Sequence, residues 1–171
     1  MSEKIQIHPV SNKEEYNCCL TIRKKVFVEE QGVPKEAEID SHEKIALHFL
    51  AFYDDKPAAT GRFRIKTGFV KFERIATLPE FRGKGVASML MKAMQSDSVS
   101  KHPDFLPLMH AQISAISFYL KLGWMAIGKI FVEDGIEHKM MILPPKEASN
   151  LVCLSDPKTE QSILDYFASK P

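Results

Sequence analysis

The stretch FVKFERIATLPEFRGKGVASMLM, Phe69 to Met91, constrains this chain more than any other. Its first nine residues, FVKFERIAT, are rich in β-branched and aromatic residues and read as a strand. Pro79 ends it, because proline has no N–H to give to a ladder. Beyond the glycine turn, Val86, Leu90 and Met94 recur at helical spacing, which predicts a helix over about 84 to 95. A strand that feeds through a glycine turn into a helix N-terminus forms an anion site. Gly83 and Gly85 let the backbone approach a ligand without a Cβ in the way. The unpaired N–H groups of the first helical turn point at that ligand, and the helix dipole adds partial positive charge. Arg82 and Lys84 add full charges. Neither common nucleotide loop fits. Val86 stands where a Walker loop needs Lys followed by Ser or Thr, and a dinucleotide fingerprint needs a third glycine.

A second stretch, QISAISFYLKLGW from Gln112 to Trp124, reads as a short helix. Phe118 and Leu122 fall on one face and are expected in the core. Tyr119 is turned away by one helical step and is expected to reach a cleft. Gly123 suits the left-handed residue that closes a helix.

Together these stretches resemble the GNAT superfamily, the acetyl-CoA-dependent N-acetyltransferases. Arg82, Gly85 and Ala87 match its Arg-x-x-Gly-x-Ala pyrophosphate motif. Ala115, Phe118, Tyr119, Lys121 and Gly123 match its A-x-x-F-Y-x-K-x-G-F signature, with Trp124 in place of the usual Phe. Two further stretches resemble a bacterial-type branch of small acetyltransferases. One is RKKVFVEEQGVPKEAEIDSHEKIALHFLAF, Arg23 to Phe52, and the other is FVEDGIEHKMM, Phe131 to Met141. The four stretches cover most of residues 20 to 142. The implied fold is α/β (α+β): a mixed, mostly antiparallel sheet of about seven strands, flanked by helices and splayed between strands four and five.

The resemblance also implies roles. Acetyl-CoA would be a co-substrate, with its pyrophosphate on Arg82, Gly83, Lys84, Gly85, Val86 and Ala87. Its pantetheine arm would run along Ile75, Ala76 and Thr77, where a backbone N–H would polarise the thioester carbonyl. Gln112 replaces the usual Asn near the signature helix, and Phe118 and Tyr119 complete the cofactor side. Tyr119 is the candidate donor to the departing thiolate, since a phenol is a donor at neutral pH.

An attacking amine must first lose a proton. Glu73 lies two residues before Ile75, so unbroken alternation puts both on one face. Glu73 and His138 lead the candidate bases; His110, Glu29, Glu30, Asp40 and Glu133 follow, and a water relay with no dedicated base is an equal alternative. Arg23, Phe27, Glu30, Gln31, Arg64 and His138 are expected to line the acceptor side. Carboxylates there suit a polyamine-like amine, whereas Arg23 and Arg64 suit an anionic group such as that of glucosamine 6-phosphate. A peptide or protein N-terminus is a further acceptor, and a non-catalytic acyl-CoA-binding module is the reading from another class.

Composition excludes several alternatives. The 171 residues suffice for one domain with a full core. A net charge of +1 argues against a nucleic-acid binder that relies on phosphate electrostatics. No apolar run approaches a membrane span, and MSEKIQIHPV lacks a signal core, so a cytoplasmic protein is expected. Three cysteines without metal-ligand spacing fit reduced thiols and no metal; Cys18 and Cys19 are expected within a helix, away from any activating terminus.

Along the chain, a strand at 5 to 10 precedes a helix capped by Ser11 or Asn12 and running to about Glu29. Strands are expected at about 45 to 53, 57 to 66, 69 to 77, 106 to 111, 124 to 132 and 137 to 143, the last two joined by an Asp-Gly turn. SDSVSKHPDF reads as a polar connection. The acetyltransferase domain is expected to span 1 to 145. The extension, 146 to 171, is expected to carry a helix capped by Asp156 with Pro157 at its first position. Its apolar face, Ile163, Leu164 and Phe167, must dock on its own domain or on a partner, and a homodimer is compatible with it.

Overall fold

The computed structural model describes residues 4 to 170; the outermost ends of the two expected domains, 1 to 3 and 171, lie outside the described residues. Seven strands are present: β1 (Ile5–Pro9), β2 (Leu47–Tyr53), β3 (Lys56–Lys66), β4 (Phe69–Thr77), β5 (Leu106–Gln112), β6 (Met125–Glu133) and β7 (Ile136–Ile142). Their hydrogen-bonded order is β1-β2-β3-β4-β5-β7-β6. The sheet is mixed: β4 and β5 are parallel, while β1–β2, β2–β3, β5–β7 and β6–β7 are antiparallel. The helices are α1 (Lys13–Arg23), continued by a π-helix (Lys24–Glu30), then α2 (Lys35–Glu38), α3 (Val86–Lys101), α4 (Ile116–Leu120) and α5 (Gln161–Ala168). No helix among the described residues is long and apolar enough to cross a membrane.

Local chemistry sets the boundaries. Asn12 caps α1, its Oδ1 accepting the N–H of Glu15 at 2.9 Å, while Glu15 accepts the N–H of Ser11 at 2.8 Å. The helix expected to run unbroken to Glu29 widens at Lys24, and the N–H of Gln31 reaches five residues back to the carbonyl of Val26. Three hairpins turn on pairs with positive φ: Asp54 and Asp55, Thr67 and Gly68, Asp134 and Gly135. Such pairs match the twist of the strands they join.

Helix α3 corrects the expected boundary. It continues past residue 95 to Lys101, because Ser98 extends the buried stripe of Val86, Leu90 and Met94 by one more step of four. Ser98 is fully buried, with no hydrogen-bond partner for its hydroxyl among the described residues, and the polar composition concealed the helix. In the tail, α5 starts at Gln161 rather than at Pro157. Asp156 instead accepts the N–H of Lys158 at 2.9 Å, a local turn that competes with helix, and Thr159 donates to the carbonyl of Cys153.

Two compact units share the chain: Met1–Arg64 with Phe72–Asp97, and Ile65–Lys71 with Ser98–Pro171. In the first, one sheet face packs under α1 and the π-helix, with Cys19, Ile22 and Val26 against Leu50, Ala76 and Leu78. The other face stacks Phe49, Phe63 and Phe72, with successive ring centroids 5.6 Å apart. Gly61 lies beneath Ile75 and Met94 on that face; a Cβ there would come within 2.6 Å of the Ile75 side chain.

In the second unit, Leu106, Leu108, Ile127, Met140 and Ile142 pack against Leu151, Cys153 and Ile163 of the tail. The apolar tail helix therefore docks on its own unit. Gly68 makes the fit possible at the β3–β4 turn, where a side chain would meet the backbone nitrogen of Cys153 at 3.0 Å.

Candidate active site

In the first unit the anion loop has the backbone its sequence demands. Gly83 and Gly85 hold φ of +73° and +83°, and a Cβ at either would face open space. Glycine is needed there for its dihedral. Val86 is buried and anchors the first turn of α3, while Ala87 is half-buried. Lys84 lies over the ring of Tyr53 at 5.1 Å. Arg82 forms a two-pronged pair with Glu30, at 2.9 and 3.0 Å, and donates from Nε to the carbonyl of Thr77 at 3.1 Å. Both partners are exposed. Glu30, expected on the acceptor side, is thus engaged with the arginine of the anion loop.

Strand β4 departs from the expected alternation. Arg74 has φ +58°, a conformation that few non-glycine residues adopt. Phe72 stacks on Phe63, and Ile75 lies with Gly61 and Met94, so both occupy the α3 face although they are three residues apart. Glu73 instead pairs with Arg62 and Arg64. The irregularity at Arg74 therefore puts Glu73 and Ile75 on opposite faces, which corrects the expectation that they share one. Ala76 is buried against α1, and Thr77 and Ile75 are half-buried.

The largest feature that sequence reasoning missed is an ion-pair network on the α1 face. Four arginines (Arg23, Arg62, Arg64 and Arg74) meet four carboxylates (Glu38, Asp40, Glu43 and Glu73). Arg62 is fully buried, and bonds Glu43 at 2.6 Å, Asp40 at 2.7 Å and Glu73 at 2.8 Å. Burial opposes ionisation of Glu43, but hydrogen bonds from Arg23 and Tyr16 and the charges of Arg23 and Arg62 outweigh it and hold the carboxyl down at about 2. Asp40, also working against burial, is held at about 2 by Arg62, the His42 N–H and Arg74. The period-two run Thr60, Arg62, Arg64 was the available signal, since it puts charge on one face of a strand whose other face holds Gly61 and Phe63.

Arg23 is corrected by this network. Only 1% of it is exposed, and its donors are taken by the side chain and carbonyl of Glu38 and by Glu43, so it is not available to hold an anionic acceptor. Arg64 is mostly buried and bonded to Glu73 through Nε. Phe27 packs on the core beside Val26, and Gln31 closes the π-helix.

In the second unit, the burial expected for Phe118 and Tyr119 is reversed. Phe118 is half-buried, whereas Tyr119 is buried and touches it edge-on, with centroids 5.1 Å apart. Gly123, at φ +96°, turns the chain so that Trp124 donates its N–H back to the Tyr119 carbonyl. The short helix thereby packs inward on its tyrosine. The phenol oxygen has no hydrogen-bond partner among the described residues, and burial pushes its acidity well below that of a free phenol. It remains a protonated donor at neutral pH.

On the open end of this unit's sheet, register puts Gln112 opposite His138 and Phe131 opposite His138. Gln112 is half-buried. His138 is buried, stacks on Phe131 and bonds the Ile136 carbonyl from Nδ1 at 2.7 Å. In the neutral ring that bond puts the proton on Nδ1 and the lone pair on Nε2.

Residues 8–144 match the family model described as "Acetyltransferase (GNAT) domain". The chain belongs to the GNAT acetyltransferase family. It is similar to the Bacillus subtilis protein "Uncharacterized N-acetyltransferase YjcF", with 36% identity over 77% of this chain and 94% of that one. Its fold resembles an acyl-CoA N-acyltransferase from Pseudomonas aeruginosa, at a TM-score of 0.72 and 23% identity over 82% of this chain and 98% of that one. It also resembles a GNAT acetyltransferase from Elizabethkingia anophelis solved with acetyl-CoA bound, at a TM-score of 0.59 and 18% identity over 82% and 96% of the two chains. Membership makes this GNAT protein an acetyl-CoA-dependent acyltransferase.

Proposed function

We propose that this acetyltransferase moves the acetyl group of acetyl-CoA onto a primary amine of a small molecule, directly and without an acyl-enzyme. The observation that carries the reading is the buried, protonated phenol of Tyr119, which has no partner in the described protein.

In this reading the pyrophosphate takes the Arg82–Ala87 loop, and Arg82 exchanges Glu30 for it. The pantetheine arm bonds backbone groups of Ile75, Ala76 and Thr77, and Gln112 and Phe118 are the further cofactor contacts of this reading. The neutral amine nitrogen attacks the thioester carbon, and a C–N bond forms as the carbonyl oxygen takes up charge under a backbone N–H. The C–S bond then breaks, the thiolate takes a proton from Tyr119, and the proton that the new amide nitrogen sheds restores the phenol. Cys19 and Cys153 are buried with acidity suppressed by desolvation, to about 11 each, which suits inert thiols rather than acyl carriers.

With Arg23 committed to Glu38 and Glu43, an anionic acceptor would rest on Arg64 alone. That favours a polyamine-like amine over an amino sugar phosphate. A homodimer is kept in the reading, with sedimentation velocity as its test. Thiol release from acetyl-CoA, measured with spermidine, glucosamine 6-phosphate, arylalkylamines and short peptides, tests the whole. Turnover fastest with spermidine is expected. Calorimetric binding of acetyl-CoA with no turnover on any amine would leave a binding module instead.

A further inference from the structure

The second unit holds a pair of side chains that the proposed mechanism does not use. His110 on β5 and Glu133 on β6 lie two strands apart, with β7 between them. Their side chains meet across it, His110 Nδ1 lying 2.8 Å from Glu133 Oε1. Phe131 supports the ring edge-on, with centroids 4.9 Å apart, and separates it from His138. Register explains the grouping. Residues opposed across a ladder share a face, so His110 and Gln112 share one with Met140 and His138, and Phe131 and Glu133 join them from β6. At one end this face is covered by the tail, which packs on Leu108, Met140 and Ile142. Beyond the tail it turns polar.

The two histidines differ in what their partners make of them. His138 gives its Nδ1 proton to a neutral main-chain carbonyl of its own strand. His110 gives its own to a carboxylate. A carboxylate fixes the tautomer, leaves the lone pair on Nε2, and stabilises the imidazolium that forms when Nε2 takes a proton. Nε2 of His110 has no partner among the described residues. Glu133 is held below its usual range, first by the hydrogen bond from His110 and then by the charges of His110, Lys71 and His138 against partial burial, so it stays an anion while it supports the ring. Lys71 from β4, Glu133 from β6 and His138 from β7 are the charged or titratable groups that face the pair.

We infer that His110 is the general base that takes the proton from the acceptor ammonium, with Glu133 as its positioning residue. This rests on the transferase reading above. Nε2 accepts the N–H proton, the amine lone pair is freed, and the imidazolium is held against the Glu133 carboxylate until it passes the proton to solvent. Gln112, two residues along the same face of β5, belongs to the proposed cofactor side, so the base and that contact share one strand face.

The experiment compares two nucleophiles, spermidine, a cation at neutral pH, and methoxyamine, which is already neutral there and needs no base. Acetyl-CoA binding is followed by calorimetry on every variant. With spermidine, His110→Gln is expected to lose about 10²-fold or more in kcat, the usual worth of a positioned base, while cofactor affinity is retained. With methoxyamine the loss shrinks to under about tenfold on the same grounds. Glu133→Gln is expected to move the acid limb of the kcat profile with spermidine to lower pH, a change that a merely structural role does not produce. Equal losses on both nucleophiles, or a spermidine rate within about twofold of wild type, would overturn the base assignment while leaving the transferase intact. Wild-type protein that binds acetyl-CoA but serves neither nucleophile would overturn the transferase reading and the base with it.

Discussion

Replacing Tyr119 by Phe separates stability from chemistry. The phenol oxygen has no partner in the described protein, and the ring is 7% exposed. Tyr119→Phe therefore removes no hydrogen bond between described residues, so stability should change by no more than about 0.5 kcal/mol. In a chain of this size, 1 kcal/mol moves Tm by about 2–4 °C. The variant should thus melt within about 2 °C of wild type without ligand. Turnover should fall by about 10²-fold or more, since a general acid contributes about 10²–10⁴-fold. Acetyl-CoA affinity should change little, because the donor acts on sulfur only as the C–S bond breaks. Thermal melts by circular dichroism, calorimetric titration and thiol release on one protein preparation give all three quantities. A drop in Tm of several degrees would reveal a protein partner for the phenol and remove the argument that it waits for a ligand. Unchanged kcat would show that the thiolate is protonated by something else.

Three further outcomes follow from the first unit. Arg62→Met strands Asp40, Glu43 and Glu73 around a lost guanidinium, and should cost about 3–5 kcal/mol in urea unfolding, the range for breaking a buried pair; a loss under about 1 kcal/mol would mean the remaining arginines absorb the charge. Glu43 and Asp40 have folded-state pKa values held down at about 2, so the stability they contribute is complete above the ordinary carboxylate range and is lost as pH falls from about 5 towards about 2; Tm measured across that window should fall less in Glu43→Gln than in wild type, and parallel curves would refute the linkage. Glu30→Gln frees Arg82 from an exposed pair worth about 0–1 kcal/mol, so acetyl-CoA should bind up to about fivefold more tightly by calorimetry; weaker binding would show that Glu30 positions the arginine instead of competing for it.

What was legible in the sequence was set by local chemistry. The hairpin turns, the Asn12 cap, the glycine loop before α3 and the Gly123 stop each depend on a few neighbouring residues, and each stands where those residues put it. Motif and spacing gave the family for the same reason. The ion-pair network was not legible, because its partners lie between 9 and 36 residues apart and no local pattern joins them. The exchange of Phe118 and Tyr119 was missed because spacing fixes an angle around a helix but not which side faces the core. The partner choice of His110 depends on a strand that is its second neighbour in the sheet, and only the register brings Glu133 to it.

The network and the irregular strand explain each other. A non-glycine residue in the left-handed region costs about 1–2 kcal/mol, and Arg74 holds one in the middle of β4. Its guanidinium is anchored by the carbonyls of Ala37 and Glu38 and by Asp40, at 3.3, 3.1 and 3.1 Å. Asp40 is anchored in turn by Arg62, and Glu38 by Arg23. The acidic segment after the π-helix thus acts as a brace that offsets the backbone cost and keeps the phase change at Arg74. That phase change brings Ile75 to the α3 face and buries Ala76 against α1, immediately before the backbone groups expected to meet the cofactor. Charged residues that looked like acceptor contacts in the sequence therefore hold the strand in shape, and under the proposed function that is the shape offered to the cofactor.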